Sequence, residues 1–96
     1  MAHKLSRTEL DEALSGLDGW TFDEKLEAIG RQFRFRNFSE AFGFMTRVAL
    51  AAEAMGHHPD WSNTYDKVSI ALSTREAGGV TKKDVELAER IGKLTA

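Results

Sequence analysis

Two adjacent histidines, His57 and His58, are the residues of this sequence with the clearest capacity for proton transfer. Histidine is the side chain whose ordinary pKa lies closest to neutral pH, so it can give or take a proton under cellular conditions. The pair precedes Pro59 and makes up two of the three histidines in the chain. These features predict a site of general acid–base chemistry.

A carboxylate is expected to orient this pair. Glu53 lies four residues before His57, so both fall on one face of a predicted helix, and the carboxylate is expected to accept a hydrogen bond from the ring. Gly56 is a natural helix-ending residue, and Pro59 disfavours helical backbone at His58. The two rings should therefore point in different directions and address two atoms of one substrate, one as acid and one as base.

Two simpler interpretations of the pair stay open at this point. His57 could be a helix C-cap and His58 a loop residue that does no chemistry. The two histidines could also ligate a metal together with Glu53 or Asp60, although no further histidine or cysteine lies near them in the sequence. The chain has no cysteine, which excludes disulfides, thiolate nucleophiles and sulfur-ligated zinc.

Five further residues have both a structural and a functional interpretation. Trp61 and Tyr65 could be core residues of a strand, or one of them could pack against a flat heterocycle. Asp84 could be the acid of a helix capping box or a member of the site. Gly78 and Gly79 are expected to shape a turn, because no glycine motif for binding phosphate is present.

Helix-start signatures occur three times in the chain. Segments opening at Ser6, Asn37 and Thr81 each begin with a small polar residue followed three positions later by an acid. The second of these helices is predicted to be the longest. Its apolar stripe comprises Phe38, Ala41, Phe42, Met45, Val48, Ala49, Ala52 and Met55. A stripe this wide is broader than a single packing contact can cover. Together with the open edges of a small sheet, it predicts a homo-oligomer.

The segments between these helices alternate apolar and polar residues, which is typical of half-buried strands. The predicted strands cover residues 20–22, 29–36, 63–65 and 67–73. The resulting order, α-β-β-α-β-β-α, predicts an α+β fold: a four-stranded antiparallel sheet with three helices on one face. No linker or repeat interrupts the chain, so residues 1–96 are expected to form a single domain.

The composition excludes several classes of protein. The chain has 96 residues, of which 42% are hydrophobic and 29% charged, with a formal net charge of −2. It lacks the basic excess of proteins that bind nucleic acid directly. It also lacks an apolar run long enough to span a bilayer and the apolar core of a signal peptide, so a cytoplasmic protein without a membrane segment is predicted.

The sequence resembles the pterin-4a-carbinolamine dehydratases over almost its whole length. The resemblance is strongest in residues 42–50, 53–61, 63–68 and 72–74. Its most specific element is the Glu-x-x-x-His-His-Pro motif of residues 53–59, followed by Trp61 and by an acid, Asp84, at the start of the last helix.

Membership of this family would imply a fold, an assembly and a reaction. The fold is the same α+β architecture, with a sheet shared across a homodimer and a homotetramer formed through helices. The reaction is the dehydration of 4a-hydroxytetrahydrobiopterin to quinonoid dihydrobiopterin in tetrahydrobiopterin recycling, without cofactor or metal. By resemblance, His57 and His58 form the acid–base pair, Glu53 orients them, and Trp61 and Asp84 belong to the pterin-binding part of the site.

One position departs from the family pattern. Animal members and many bacterial ones have a third histidine where this chain has Arg75. Arginine is always charged and cannot serve as a base, but it can donate hydrogen bonds to a pterin carbonyl or a leaving hydroxyl. We therefore expect Arg75 to bind substrate in a modified but active site.

The resemblance also supplies an alternative to the enzyme. Animal relatives act as dimerisation cofactors of a homeodomain transcription factor, and some bacterial relatives act as assembly factors. A non-catalytic protein-binding scaffold is therefore the second hypothesis. The corresponding partners would be a transcription factor or an aromatic amino acid hydroxylase, without direct contact to nucleic acid.

Overall fold

The computed structural model describes residues 3–95, in which three helices pack on a four-stranded sheet. The elements are α1 (Arg7–Ser15), β1 (Thr21–Asp23), β2 (Ala28–Arg34), α2 (Phe38–Met55), β3 (Asp60–Thr64), β4 (Lys67–Leu72) and α3 (Lys82–Lys93), with a 3-10 turn at Arg75–Ala77 between β4 and α3. The predicted order of elements and the α+β class are confirmed.

Side-chain caps fix where the first and last helices begin. Ser6 with Glu9, and Thr81 with Asp84, form complete capping boxes in which each partner satisfies a backbone N–H of the other. These bonds occupy N–H groups that have no partner within the helix. The capping-box interpretation of Asp84 is therefore confirmed.

At the start of α2 the predicted capping box is only half formed. Asn37 Oδ1 accepts the backbone N–H of Glu40 at 2.9 Å, as expected. The Glu40 carboxylate instead accepts the backbone N–H of Arg36 at 3.0 Å and pairs with the guanidinium of the same residue. The prediction was wrong here because a charged donor next to the cap attracts the carboxylate more strongly than a neutral N–H does.

The sheet has the strand order β1-β2-β4-β3, and every neighbouring pair is antiparallel. Cross-strand partners share a face, and the pairs Ile29–Leu72 and Phe33–Val68 are buried beneath the helices. The opposite face carries polar pairs such as Gln32–Ser69. All three helices therefore cover the same face of the sheet.

The apolar stripe of α2 is placed differently from the prediction. The residues of α2 buried against the sheet are Ala41, Phe44, Val48 and Ala52. Phe44 was missed, and its ring packs at 4.8 Å from that of Phe33. Phe38 and Phe42, which belong to the predicted stripe, are exposed, as is Leu50. The helix is apolar on two sides, and the sheet can bury only one of them.

The turn between β3 and β4 includes Tyr65, which was predicted to lie in a strand. Tyr65 is exposed and has a positive φ of 52°, as a tight hairpin turn requires. The side chain of Asn63 holds the turn by donating to the carbonyls of Tyr65 and Lys67 at 3.2 and 2.8 Å. Tyr65 therefore belongs neither to the core nor to the histidine site.

Three chain connections meet at one end of the sheet. They are the β1–β2 turn, the α2–β3 connection and the segment between β4 and α3. They meet because β4 is antiparallel to both β2 and β3, so the end of β4 lies beside the starts of those two strands. Within residues 3–95, none of the helices is long and apolar enough to cross a membrane.

Candidate active site

A cleft of about 580 Å³ lies where the three connections meet, and both histidines line it. The α2–β3 connection contributes residues 56–60, and the β4–α3 segment contributes Ser73, Arg75, Glu76 and Gly78. The β1–β2 turn closes the third side with Leu26 and Glu27. Three segments that are distant in sequence therefore build one open, polar cavity.

The end of α2 determines where the histidines stand. Gly56 adopts the left-handed conformation with φ 65°, which glycine tolerates without strain and which ends the helix. The backbone N–H of His57 then donates to the carbonyl of Ala52 at 3.1 Å. The C-cap is therefore Gly56, and both imidazoles lie beyond the helix end at the cleft.

His57 is held by a buried carboxylate from another helix. Its Nε2 lies 2.5 Å from Oδ1 of Asp84, and the exposed fractions of the two side chains are 11% and 0%. Nε2 is the donor, since an ionised carboxylate can only accept. Asp84 thus caps α3 through one oxygen and binds His57 through the other.

His58 is hydrogen-bonded to a different carboxylate, that of Glu53, at the protein surface. Its Nε2 lies 2.9 Å from Oε1 of Glu53, and the two side chains are 66% and 80% exposed. The prediction that Glu53 accepts a hydrogen bond from His57 was wrong. The left-handed turn at Gly56 carries His57 away from the helical face of Glu53 and towards α3.

Each imidazole therefore has its own carboxylate, and the two environments differ. The His57–Asp84 hydrogen bond is shielded from water, and a hydrogen bond in such a low-dielectric environment is electrostatically stronger than one in water. The His58–Glu53 pair is solvated and screened by salt. Two rings in one cleft that keep their Nδ1 atoms free of these carboxylates can receive and deliver protons at two points on a bound molecule.

Arg75 lines the same cleft as the two histidines. It starts the 3-10 turn directly after β4, its side chain is exposed, and no carboxylate of residues 3–95 forms an ion pair with it. Its guanidinium is thus available to a ligand as a set of hydrogen-bond donors.

Trp61 is not among the residues that line the cleft. It lies on β3 opposite Ile70, half-buried, with its side chain packed against the hydrophobic core. Asp84 is also absent from the cleft wall, because it lies behind His57. Of the predicted site residues, the structure brings His57, His58 and Arg75 together at the cleft surface.

Sequence analysis did not assign four other residues of this region to the site. Leu26 and Glu27 reach the cleft only through the β1–β2 turn, and no local pattern marks them. Thr74 and Thr81 form buried hydrogen bonds around Asp84. Only Thr81 carried a signal, as the first residue of a capping box.

The metal-site alternative has little geometric support among residues 3–95. No three histidine, aspartate or glutamate side chains there come together as a metal-binding group. Each of the two histidines already has a carboxylate as its hydrogen-bond partner through Nε2.

Comparison with known proteins gives a consistent result. The family model for pterin 4 alpha carbinolamine dehydratase matches residues 3–94. A relative from Paraburkholderia xenovorans strain LB400, provisionally named a pterin-4-alpha-carbinolamine dehydratase, is 53% identical over 96 residues and is covered completely, as is this chain. A relative with the same provisional name from Mesorhizobium japonicum is 54% identical over 88 residues, which cover 92% of this chain and 90% of that protein.

Two solved structures share the fold. The crystal structure of a transcriptional coactivator/pterin dehydratase from Brucella melitensis superposes with a TM-score of 0.95 at 42% identity, covering 98% of this chain and all of the other. A pterin dehydratase-like protein described as a RuBisCO assembly factor of the alpha-carboxysome gives a TM-score of 0.71 at 20% identity, over 81% of this chain and 90% of that one. The second similarity concerns the fold alone.

Proposed function

The chain belongs to the pterin 4 alpha carbinolamine dehydratase family, and on that premise we propose that it dehydrates 4a-hydroxytetrahydrobiopterin to quinonoid dihydrobiopterin in tetrahydrobiopterin recycling. The observation that carries the proposal is that His57 and His58 line one cleft, each hydrogen-bonded through Nε2 to its own carboxylate. This arrangement suits a reaction that needs one proton removed and another delivered.

The reaction needs no redox partner. A base removes the proton on N5 of the pterin, and the electron pair of N5 forms the C4a=N5 double bond. The C4a–O bond breaks at the same time, and the hydroxyl leaves as water after taking a proton from an acid. One proton enters and one leaves, so the pair of histidines ends with exchanged protonation states that bulk water restores.

The difference between the two histidines assigns their roles in the proposal. His57 acts as the base, because the buried carboxylate of Asp84 stabilises the imidazolium that forms when the ring takes the N5 proton. His58 acts as the acid that protonates the leaving hydroxyl, and its exposure lets solvent replace the proton. Glu53 orients His58, and Asp84 acts on the substrate through His57.

Arg75 is proposed to bind the substrate. Its guanidinium lines the cleft without a carboxylate partner in residues 3–95, and it can donate two hydrogen bonds to a carbonyl oxygen and its neighbour. Trp61 supports this region from the core side of β3 and is assigned a structural role. No cofactor or metal enters the proposed reaction.

A direct assay tests the proposal. The purified protein is added to 4a-hydroxytetrahydropterin generated by an aromatic amino acid hydroxylase, and the appearance of the quinonoid product is followed. We expect His57→Ala and His58→Ala each to lower kcat by about 10²- to 10⁴-fold, the usual contribution of one acid or base.

The chain offers a matched control for this assay. His3 is also bonded to a glutamate, Glu9, at 3.2 Å, but it lies outside the cleft. His3→Ala should therefore keep the full rate. If the wild-type protein does not exceed the uncatalysed rate, or if His3→Ala loses as much as His57→Ala, the proposed site is wrong.

The outer face of α2 favours a second role, in assembly. Phe38, Phe42 and Leu50 are all exposed on this helix, and the rings of Phe38 and Phe42 pack together with their centroids 5.9 Å apart. Exposed apolar side chains that lie together in this way mark contact surfaces. We propose that this face of α2 joins two homodimers into a homotetramer. Each homodimer would form through an edge strand of the sheet. A non-catalytic scaffold that binds a transcription factor or a hydroxylase through this face stays the alternative prediction.

A further inference from the structure

A chain of buried hydroxyl groups lies behind the His57–Asp84 pair. Thr74 Oγ1 is 2.7 Å from Thr81 Oγ1 and 2.8 Å from Asp84 Oδ2, and all three residues are almost fully buried. The backbone N–H of Thr81 donates to the same Oδ2 at 2.8 Å. A helix cap needs only Thr81 and Asp84, so the bonds to Thr74 require another explanation.

A hydroxyl group carries one proton, and this fixes the direction of every bond in the chain. An ionised carboxylate only accepts, so Thr74 donates its proton to Oδ2 of Asp84. Thr74 can then only accept from Thr81, whose hydroxyl therefore donates to it. Two donors thus occupy Oδ2 and prevent the carboxylate from rotating, which leaves Oδ1 directed at Nε2 of His57.

These directions determine the protonation of the His57 ring. Because Oδ1 accepts, Nε2 carries the proton of the neutral ring and Nδ1 carries the lone pair. Every buried side-chain nitrogen or oxygen of residues 3–95 has a hydrogen-bond partner. Nδ1 of His57 bonds to none of these residues, so it is open to the solvent of the cleft that the ring lines.

We propose that Thr74 is a positioning residue of the site. Its hydroxyl, held by Thr81, orients Asp84 so that His57 is fixed with Nε2 protonated and with Nδ1 as the atom that exchanges a proton with the substrate. The proton exchange rests on the proposed dehydratase function, whereas the tautomer follows from the hydrogen bonds alone. Thr74 does not line the cleft and acts only through Asp84 and His57.

Nitrogen-15 NMR of the His57 ring measures the tautomer without any substrate. In the wild-type protein we expect the neutral ring to carry its proton on Nε2. Thr74→Val removes one of the two donors to Oδ2, so we expect a mixture of tautomers and a kcat lower by about 10- to 100-fold, with KM changing far less. Thr74→Ser keeps the hydroxyl and should therefore show the wild-type tautomer of His57 and the wild-type kcat.

The control is Thr64→Val, which replaces an exposed threonine of β3 and should leave tautomer and kcat unchanged. Thr74→Ala, which adds no volume, replaces the valine variant if that protein does not fold. A wild-type ring with its proton on Nδ1 would overturn the inference, and so would a Thr74→Val protein that keeps the Nε2–H tautomer and full kcat. If the wild-type protein lacks dehydratase activity, the proposed function fails, and the NMR measurement still decides the role of Thr74.

Discussion

The ring of His57, at the end of α2, donates from Nε2 to the buried carboxylate of Asp84 in the first turn of α3, 27 residues further along the chain. This bond links the segment that follows α2 to the first turn of α3 and leaves the unbonded side of the ring in the cleft. One aspartate therefore starts a helix and orients the most shielded histidine of the chain. The stability of the fold and the geometry of the site are coupled through this residue.

Asp84→Asn should lower the activity of the site far more than the matching change at Glu53, the exposed carboxylate. The two donors at Oδ2 require an oxygen there, so the amide NH2 of the asparagine would face Nε2 and force the proton of the neutral ring onto Nδ1. We expect kcat to fall on the order of 10²- to 10⁴-fold, as when the aspartate of a catalytic triad is replaced by asparagine. Steady-state kinetics on the purified variant measures the effect.

The control for this variant is Glu9→Gln, which alters the equivalent acid in the capping box of α1 without touching a histidine of the cleft. Both variants should lose stability, by about 0.5–2 kcal/mol for a cap. Only Asp84→Asn should lose activity. Comparable kinetic losses in both would show that capping, and not the orientation of His57, explains the effect.

Glu53→Gln should have a small effect on the rate. Glu53 and His58 are both well exposed, and an exposed ion pair contributes about 0.2–1 kcal/mol. We expect kcat to fall less than about fivefold, and the difference from wild type to shrink as salt is added. A loss as large as that of Asp84→Asn would contradict the distinction between a buried and a solvated pair.

Arg75 should influence substrate binding more than turnover. Removing the donors that bind a polar substrate atom weakens substrate binding by about one order of magnitude. Arg75→Ala should therefore raise KM about tenfold, with a smaller change in kcat. Arg75→His, which retains a donor, should keep activity. Arg34→Ala, on the uncovered face of the sheet, is the control, and an unchanged KM for Arg75→Ala would remove this residue from the site.

The exposed face of α2 should control the oligomeric state. Light scattering of the wild-type protein should give the mass of the proposed homotetramer. Phe42→Glu or Leu50→Glu should lower that mass, because a charge buried in an apolar contact is strongly unfavourable. Tyr65→Glu, at an equally exposed aromatic of the β3–β4 turn, should leave it unchanged, and a monomeric wild-type protein would refute the assembly.

The start of α2 should show a local acid sensitivity. The side-chain and backbone hydrogen bonds from Arg36 hold the pKa of Glu40 below its ordinary value of 4.5. A carboxylate with a lowered pKa stabilises the fold above its unfolded pKa, and this contribution is lost as the pH falls through the folded pKa. Glu40→Gln should therefore flatten the fall of Tm below about pH 5, measured by thermal unfolding at several pH values.

Glu12→Gln is the control for this measurement, since Glu12 is exposed and forms no ion pair within residues 3–95. Its melting temperature should follow the wild-type pH dependence. Equal acid sensitivity in wild type and Glu40→Gln would mean that the Arg36–Glu40 contact does not survive in solution.

Local sequence patterns determined the order of elements, the fold class and the residues able to transfer protons. Capping pairs such as Ser6–Glu9 act over one turn, alternation in β4 acts over one strand, and Gly56 before Pro59 ends α2 within a few residues. Such signals are short-range, so the sequence alone could specify them. His57 and His58 were identified in this way and Arg75 through the resemblance to the family, and the structure places all three at one cleft.

Only the tertiary structure decided which carboxylate serves which histidine. Helical spacing pointed to Glu53 for His57, but the left-handed turn at Gly56 directs that ring to Asp84 and leaves Glu53 to His58. The tertiary structure also decided that Thr74 contacts Asp84 and which face of α2 is buried. The His57–Asp84 bond joins residues 27 positions apart. This partner, like the buried face of α2, is set by how the helices pack on the sheet, which no local pattern encodes.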